Sequence, residues 1–293
     1  MKTATNQSSS NHRSETLATG TSPELAASSL LVSVLMPCLN EARTLAACIE
    51  QAHAGCQTAL SRRDSLASSQ QLIESVHQPV HEEAACANFG YEILIADNGS
   101  SDRSAEIAAS HGARVVSVAE PGYGAALQGG ITASRGKYIV MGDADCSYDF
   151  GEVPRFLEQL EAGHDLVMGN RFSGEIKAGA MPWHHRYIGN PLLSGLGRLL
   201  YGTRCRDWHC GLRGFDREKV MALGLRCTGM EFASEMLVAA AKMRLSLSEI
   251  PVTLSPDGRD RPPHLRSFRD GWRHLRMMVG YRFAITPSKQ TTT

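Results

Sequence analysis

Short apolar runs alternate with polar turns and helix-forming stretches along the first half of the chain. Runs of this length, followed by glycine, proline or polar residues, are typical of buried strands. The predicted strands are Leu30–Met36, Tyr91–Ala96, Arg114–Val118, Tyr138–Met141 and Asp165–Met168. Helices are predicted between them, over Thr44–Ala54, up to His111, after Pro121 and over Phe150–Ala162. This alternation predicts an α/β fold with one mostly parallel, doubly wound sheet and helices on both faces.

The second half of the chain has a different pattern. Met181–Tyr201 is apolar and aromatic, and Pro191 within it disfavours one straight helix. Asp207–Phe215 combines turn formers with polar side chains, so we predict a loop on the acceptor side of a site. The remaining predicted elements are a helix from Thr228 to about Met243, a strand over Leu247–Leu254 and a helical pattern over Gly271–Tyr281.

These patterns divide the chain into three regions. Residues 1–29 are rich in Ser, Thr and Ala and predict a disordered leader, because they lack the apolar core of a signal peptide. Residues 30–254 predict the main domain, in which residues 55–90 are polar, with little periodicity, and indicate a mobile insertion. Residues 255–293 predict a basic loop, an amphipathic helix and a tail.

Composition narrows the possible function classes. The 293 residues carry a formal net charge of zero, so no overall field favours nucleic acid. The eight cysteines include no Cys-x-x-Cys pair, which predicts free thiols in a reducing, cytoplasmic compartment. No run reaches the roughly 20 apolar residues that span a bilayer. Met181–Tyr201 and Gly271–Tyr281 instead suit peripheral contact with a membrane, although a core stripe and a solvated basic helix are alternatives.

Two carboxylates follow the central predicted strand. Asp143 and Asp145 come directly after Gly142, where the chain leaves the sheet. Aspartate oxygens suit Mg²⁺ or Mn²⁺, which keep water ligands and bridge to substrate phosphates. An acidic turn with Asp149 as a helix cap is the structural alternative.

Polar residues follow the other predicted strands at the same edge of the sheet. Asn40 and Glu41 suit either a ligand or the start of a helix, and Asp97 could accept a hydrogen bond from a base or ribose. Arg171 could pair with a phosphate or form a surface salt bridge. Glu231 and Glu235 share a helix face, where either could act as a general base or only interact with the helix dipole.

Taken together, four motifs resemble those of the family 2 inverting glycosyltransferases of the GT-A fold, and most of all the dolichyl-phosphate mannose synthase group. The motifs are Pro37-Cys38-Leu39-Asn40-Glu41, Asp97-Asn98-Gly99-Ser100, Asp143-Ala144-Asp145 and Gly169-Asn170-Arg171. The resemblance implies a metal ion on Asp143 and Asp145. It also implies a nucleotide-sugar pocket formed by Pro37, Asn40, Glu41, Asp97, Gly122 and Asp143, and Arg171 and Arg213 facing the sugar or the acceptor.

The chain departs from that family at several positions. Asn98 replaces a second aspartate, Ser147 replaces a glutamine that helps the metal, and the usual Arg-x-x-Gly-x-Ser-Lys ending is absent. The basic loop with Arg259, Arg261 and Arg266 is the predicted substitute.

The resulting hypothesis is a metal-dependent inverting transfer of a hexose from a nucleoside diphosphate sugar to a polyprenyl phosphate. In this hypothesis Asp145, Arg171, Arg213 and Glu231 take part in catalysis. A hydroxyl of a glycan or soluble acceptor is the alternative acceptor, and a hydroxyl would need Glu231 or Glu235 as its base. A nucleotidyltransferase or a non-catalytic nucleotide-sugar binding module is the alternative from another class.

Overall fold

The structure is a computed structural model that describes residues 30–75, 90–259 and 267–283. The predicted leader, residues 76–89 of the predicted insertion and the tail from residue 284 lie outside the described residues. Arg261 and Arg266 of the basic loop lie outside them as well.

Within the described residues, seven strands form one sheet. They are β1 (Leu30–Cys38), β2 (Gly90–Asp97), β3 (Arg114–Ser117), β4 (Tyr138–Met141), β5 (Leu166–Ile176), β6 (Arg213–Asp216) and β7 (Leu247–Leu254). Their spatial order is β3-β2-β1-β4-β6-β5-β7. β6 runs antiparallel to β4 and β5, and the other neighbouring pairs are parallel. The predicted α/β fold with a mostly parallel sheet is confirmed.

Eight α-helices accompany this sheet in the described ranges. They are α1 (Leu45–Ser75), α2 (Ser104–Ser110), α3 (Tyr123–Ala133), α4 (Val153–Glu161), α5 (Asn190–Tyr201), α6 (Arg217–Met221), α7 (Phe232–Lys242) and α8 (Ser267–Phe283). A 3₁₀ turn at Phe150–Glu152 precedes α4, and a π-helical turn at His185–Gly189 precedes α5. Pro191 lies in the first turn of α5, so the predicted break in this region is observed.

The order of the strands creates a crevice at one edge of the sheet. β1 pairs in parallel with β2 on one side and with β4 on the other. The chain therefore moves outwards from β1 to β3 and then returns to the opposite side of β1 at β4. Open α/β sheets bind ligands at such a reversal, beyond the carboxyl ends of the strands.

The apolar core lies on both faces of the sheet because successive strand residues point to opposite sides. Val34 packs with α1, α2 and α4 on one face. Its neighbour Leu35 packs with α3, α7 and α8 on the other face. Both side chains are fully buried, which explains why β1 reads as a continuous apolar run.

Two predictions about secondary structure, one for α1 and one for β6, were wrong. α1 does not end at Ala54 but continues to Ser75, because Cys56 is buried and Ala59 and Leu60 pack on the core. The end of the predicted acceptor-side loop, from Arg213, forms strand β6 within the sheet. Gly214 allows this strand to approach α4, since a Cβ there would lie 3.0 Å from Cδ1 of Phe156.

No helix in the described ranges combines the length and apolarity needed to cross a membrane.

Candidate active site

The two aspartates of the central motif lie at the reversal of strand order, in the loop that follows β4. Asp145 is 5% exposed, and its Oδ1 accepts a hydrogen bond of 2.9 Å from the main-chain N–H of Ser147. Cys146, between Asp145 and Ser147, has a φ of +62°, a left-handed conformation that is uncommon for a residue with a side chain. The loop therefore turns back tightly on the Asp145 carboxylate.

Contacts from two distant segments hold the backbone of this loop. The hydroxyl of Thr44, just before α1, donates to the carbonyl of Ala144 at 2.7 Å. The N–H of Gly258 donates to the carbonyl of Asp145, also at 2.7 Å. The positions of the two aspartates are therefore set by the start of α1 and by the segment after β7.

Asp143 lies in a crowded acidic environment. Burial raises the pKa of Asp143 to about 6, and the neighbouring Asp145 and Glu41 carboxylates add to the rise against the opposing effects of Arg259 and the Tyr123 hydroxyl. Gly211 also approaches this carboxylate, since a Cβ there would lie 2.7 Å from Oδ2 of Asp143. Among the described residues, three carboxylates thus lie close to the one guanidinium of Arg259.

Arg259 forms ion pairs with two carboxylates of the site. Its Nη1 lies 3.0 Å from Oδ2 of Asp145, and its Nε lies 2.9 Å from Oε1 of Glu41. Glu41 is 4% exposed and precedes α1. The sequence indicated Arg259 as a phosphate-binding residue, but not that it would contact these acids.

The predicted nucleotide side is a set of linked turns beyond β1 and β2. Asn40 has a φ of +58°, and its Oδ1 accepts hydrogen bonds from the N–H groups of Ser101 at 2.7 Å and Asp102 at 3.2 Å. Asp97 accepts from the N–H of Ser100 at 3.3 Å, and Pro37 is in register with Ala96. The structure therefore brings Pro37, Asn40, Glu41 and Asp97 to one edge, and Asn40 uses its side chain to brace that edge.

Gly122 opens α3 beside the same edge, where it is braced by Asn98. Its N–H donates to Oδ1 of Asn98 at 2.7 Å, and Nδ2 of Asn98 donates to the carbonyl of Glu120 at 2.7 Å. Gly122 has a φ of +136°, and a Cβ there would lie 2.2 Å from the carbonyl oxygen of Thr228. Only glycine fits this position without a backbone shift.

Arg171 lies inside the protein, in a bidentate pair with Asp207. Nε and Nη2 of Arg171 each lie 2.7 Å from an oxygen of Asp207, and Arg171 also donates its main-chain N–H to that carboxylate. Arg171 is 8% exposed and Asp207 is fully buried. The alternative of a surface salt bridge is wrong, because this pair is buried and orders the loop that begins at Asp207.

Arg213 does not face open space, contrary to the prediction of a contact with the sugar or acceptor. Its side chain is fully buried in β6, where it donates to the carbonyls of Cys210 at 2.9 Å, Ala233 at 2.8 Å and Trp208 at 3.0 Å. The guanidinium thus ties the loop before β6 to α7. A charge this deep is tolerated because main-chain oxygens satisfy its donors.

The two glutamates at the start of α7 have different environments. Glu235 is fully buried and accepts from the N–H groups of Arg226 and Cys227 and from the hydroxyl of Tyr281. This full set of donors removes Glu235 as a candidate base. Oε1 of Glu231 accepts from Arg273 at 2.7 Å, while its buried Oε2 has no hydrogen-bond partner within the described part of the chain. Glu231 remains the predicted base.

A pair of histidines near this helix, the buried His274 and the partly buried His209, was not predicted. The Ser234 hydroxyl lies 2.7 Å from Nδ1 of His274 and 3.2 Å from Nε2 of His209. Burial lowers the pKa of His274 to about 4 and holds the pKa of His209 well below its usual range. His209 and His274 lie 25 and 40 positions from Ser234, so no local sequence pattern indicates this cluster.

The carboxylate oxygens of Asp143 and Asp145 suit a hard divalent ion whose remaining ligands are water molecules or substrate oxygens. Among the described residues, no group of three or more His, Cys, Asp and Glu side chains is arranged to hold a metal ion. Asp143 and Asp145 supply carboxylate oxygens at the crevice, and two carboxylates are typical for Mg²⁺ or Mn²⁺ bound together with a diphosphate.

Both the sequence and the fold of this chain are similar to those of known proteins. Residues 70–224 match glycosyl transferase family 2. The low-salt glycan biosynthesis hexosyltransferase Agl6 of Haloferax volcanii is 39% identical over 258 residues, which cover 86% of this chain and 55% of that protein. A dolichyl-phosphate hexose transferase of the same organism is 32% identical over 162 residues, 55% of this chain and 68% of that protein. The chain thus spans little more than half of Agl6.

A solved structure shows the same fold. Glucosyl-3-phosphoglycerate synthase from Mycobacterium tuberculosis, crystallised with Mn²⁺, UDP-glucose and phosphoglyceric acid, aligns with a TM-score of 0.61. The alignment covers 88% of this chain and 82% of that one, at 21% identity. At this identity the likeness concerns the arrangement of the sheet and helices alone.

Proposed function

We propose that this chain, which belongs to glycosyl transferase family 2, is a glycosyltransferase that transfers a hexose from a nucleoside diphosphate sugar to a polyprenyl phosphate. The observation that carries the proposal is the pair of carboxylates, Asp143 and Asp145, at the reversal of strand order in the sheet. A ligand at this edge would meet both carboxylates and the turns after β1 and β2.

In this proposal Asp143 and Asp145 hold Mg²⁺ or Mn²⁺. The raised pKa of Asp143 supports a cation site, because a bound cation would stabilise the ionised carboxylate that burial and the neighbouring Asp145 and Glu41 carboxylates disfavour. The bound ion would neutralise negative charge on the departing diphosphate. The Mn²⁺ in the structure of the mycobacterial synthase is consistent with this assignment.

The turns after β1 and β2 would bind the nucleotide. Pro37, Glu41 and Asp97 would line its pocket, and Gly122 would let the start of α3 approach it closely. Asn40 would support the pocket without contacting the nucleotide through its side-chain oxygen, which holds the turn at Ser101 and Asp102 in place. These nucleotide-binding roles are inferred from the position of the residues at one edge of the sheet.

The proposed acceptor is a lipid phosphate. A phosphate oxygen is already ionised near neutral pH and needs no strong base to attack the sugar. Arg171 would assist as an oriented N–H donor, since Asp207 engages two of its five N–H groups and fixes its orientation. Relatives named as dolichyl-phosphate and undecaprenyl-phosphate transferases support this choice.

One observation favours a hydroxyl acceptor as the second candidate. Glu231 is 8% exposed, and its Oε2 has no partner within the described residues. A hydroxyl must lose a proton during attack, and such a carboxylate could take it. Glu231→Gln separates the two candidates, because it would leave transfer to a lipid phosphate nearly unchanged and would abolish transfer to a hydroxyl.

Exposed apolar and basic side chains on α5 and α8 support a peripheral position on the cytoplasmic face of a membrane. Leu199 and Trp272 are 81% and 64% exposed, and the Tyr201 hydroxyl donates to the carbonyl of Met278, which joins the two helices. Arg198 and Arg276 lie on the same helices. Such a surface suits a substrate that is itself anchored in lipid.

The test is a screen of UDP- and GDP-linked hexoses with Mn²⁺, with and without a polyprenyl phosphate. We expect transfer only with the lipid phosphate, and its loss in chelator. The double variant Asp143→Asn, Asp145→Asn should lower turnover by about 100-fold or more.

The control is Asp149→Asn in the same loop, whose exposed carboxylate caps the following turn at Gly151. It should retain activity, because an asparagine oxygen can also form that cap. Turnover by the double variant at the parent's rate in chelator would overturn the proposed mechanism.

A further inference from the structure

The segment after β7 is bound to the aspartate loop through its main chain. The N–H of Ser255 donates to the carbonyl of Ser147 at 2.9 Å, and the N–H of Gly258 donates to the carbonyl of Asp145 at 2.7 Å. Gly258 also approaches α1, since a Cβ there would lie 2.7 Å from Cγ2 of Thr44. These contacts bring Arg259 directly to the carboxylates.

The guanidinium of Arg259 occupies the space between Glu41 and Asp145. Its side chain is 15% exposed, with Nε 2.9 Å and 3.2 Å from the two oxygens of Glu41 and Nη1 3.0 Å from Oδ2 of Asp145. The second oxygen of Asp145 accepts from the N–H of Ser147. Both oxygens of this proposed metal ligand therefore already have protein donors.

The charges explain why this arrangement can exchange with a metal ion. Among the described residues, Glu41, Asp143 and Asp145 bring three carboxylates close to one guanidinium, that of Arg259. A divalent ion a few ångströms from the guanidinium would repel it, because like charges at this distance are only partly screened at a protein surface. The ion and Arg259 therefore exclude each other at Oδ2 of Asp145, unless a diphosphate supplies further negative charge.

We propose that Arg259 is an internal cation that competes with the divalent ion for Asp145, so that ion binding releases Arg259 and loosens the segment 255–259. This inference rests on the proposed metal-dependent transfer. It implies that the free ion binds weakly and that the ion and a nucleoside diphosphate bind cooperatively, because each relieves the charge that opposes the other.

The test is titration of Mn²⁺ alone, followed by the electron paramagnetic resonance signal of the free ion. Arg259→Gln should bind Mn²⁺ about tenfold more tightly than the wild type, since removal of a competing charge has effects of this size. Arg155→Gln is the matched control, with the same change in net charge on α4, where Arg155 pairs with Glu152. Equal affinity in Arg259→Gln and the wild type would overturn the proposal.

A second titration, in the presence of UDP or GDP, separates this inference from the proposed function. With the nucleotide present, the affinity of the wild type should approach that of Arg259→Gln. If neither protein binds Mn²⁺ in any of these mixtures, the proposed metal-dependent function fails and the inference fails with it. If both bind Mn²⁺ with one affinity in the absence of nucleotide, only the inference fails.

A third measurement uses the wild type alone and does not depend on the folding of a variant. Amide hydrogen exchange in the peptide that contains Gly258 and Arg259 should accelerate when Mn²⁺ binds, because the ion pair between Arg259 and Asp145 no longer holds this segment against the site. Unchanged exchange at saturating Mn²⁺ would contradict the proposed release.

Discussion

Arg171 and Asp207 show at the scale of single residues how a buried charge is stabilised. Both side chains are nearly inaccessible, and two N–H···O contacts of 2.7 Å join them. Asp207→Ala would leave the guanidinium buried without its partner, so we expect a loss of about 3–5 kcal/mol in the free energy of unfolding. Urea denaturation measures this change.

Replacing both partners provides the control for that prediction. The combination Arg171→Met with Asp207→Leu removes both charges and should destabilise the protein less than Asp207→Ala. An equal or larger loss in the double variant would show that packing and not the unpaired charge governs this site.

His274 predicts how stability depends on pH. It is 5% exposed, its Nδ1 faces Ser234, and burial lowers its pKa from 6.5 to about 4, although Glu231 and Asp270 oppose the shift and Arg213 and Arg273 reinforce it. Between these values the unfolded chain binds a proton that the native chain does not. The free energy of unfolding should therefore fall as pH drops from about 6.5 to 4, by about 3 kcal/mol for this group.

The variant His274→Asn isolates this contribution because it removes the titrating ring. Denaturant unfolding at a series of pH values should show a shallower decline below pH 6.5 in the variant than in the parent. Parallel curves for the two proteins would contradict the assignment.

Helix α5 offers, at the scale of one element, two glycines with opposite expected effects. A Cβ at Gly197 would lie 2.6 Å from Cη2 and Cζ3 of Trp208, a fully buried ring. Gly197→Ala should therefore destabilise the protein by about 1–3 kcal/mol through overpacking. Gly195→Ala meets nothing within 4 Å and should stabilise it by about 0.5–1 kcal/mol through helix propensity. Thermal unfolding compares the two, and similar shifts would contradict this account of α5.

The elements differ in how well their sequences predicted them. β4 and β7 begin and end where the sequence indicated. β4 is an uninterrupted apolar run, and the second half of β7 alternates buried apolar residues with less buried ones. β6 has only four residues, two of them charged, and was interpreted as loop. It becomes a strand because β4 and β5 lie on either side of it and complete its main-chain hydrogen bonds.

For the molecule as a whole, the surface formed by α5 and α8 leads to a prediction about membranes. The variant Leu199→Ser, Trp272→Ser should bind anionic phosphatidylglycerol vesicles about tenfold more weakly than the parent, given the apolar area it loses. Leu66→Ser is the control, because Leu66 is 67% exposed on α1, which packs on the other face of the sheet. Co-sedimentation measures binding, and an equal loss in the control would contradict a specific membrane face.

The sequence by itself determined the βα order and the placement of Asp97, Asp143 and Asp145 at strand ends. Those features depend on apolar runs and turn residues that act over a few neighbouring positions, so they can be recognised without knowing how the chain folds back.

Only the tertiary structure decided which distant groups meet. Arg259 and Glu41 lie 218 positions apart, and Arg171 and Asp207 lie 36 apart. Such pairs depend on the order of strands in the sheet and on which loops cross its edge. The same packing placed Arg213 and Glu235 in the interior, where main-chain groups and the Tyr281 hydroxyl take up the hydrogen bonds that the proposed sugar or acceptor contacts would have required.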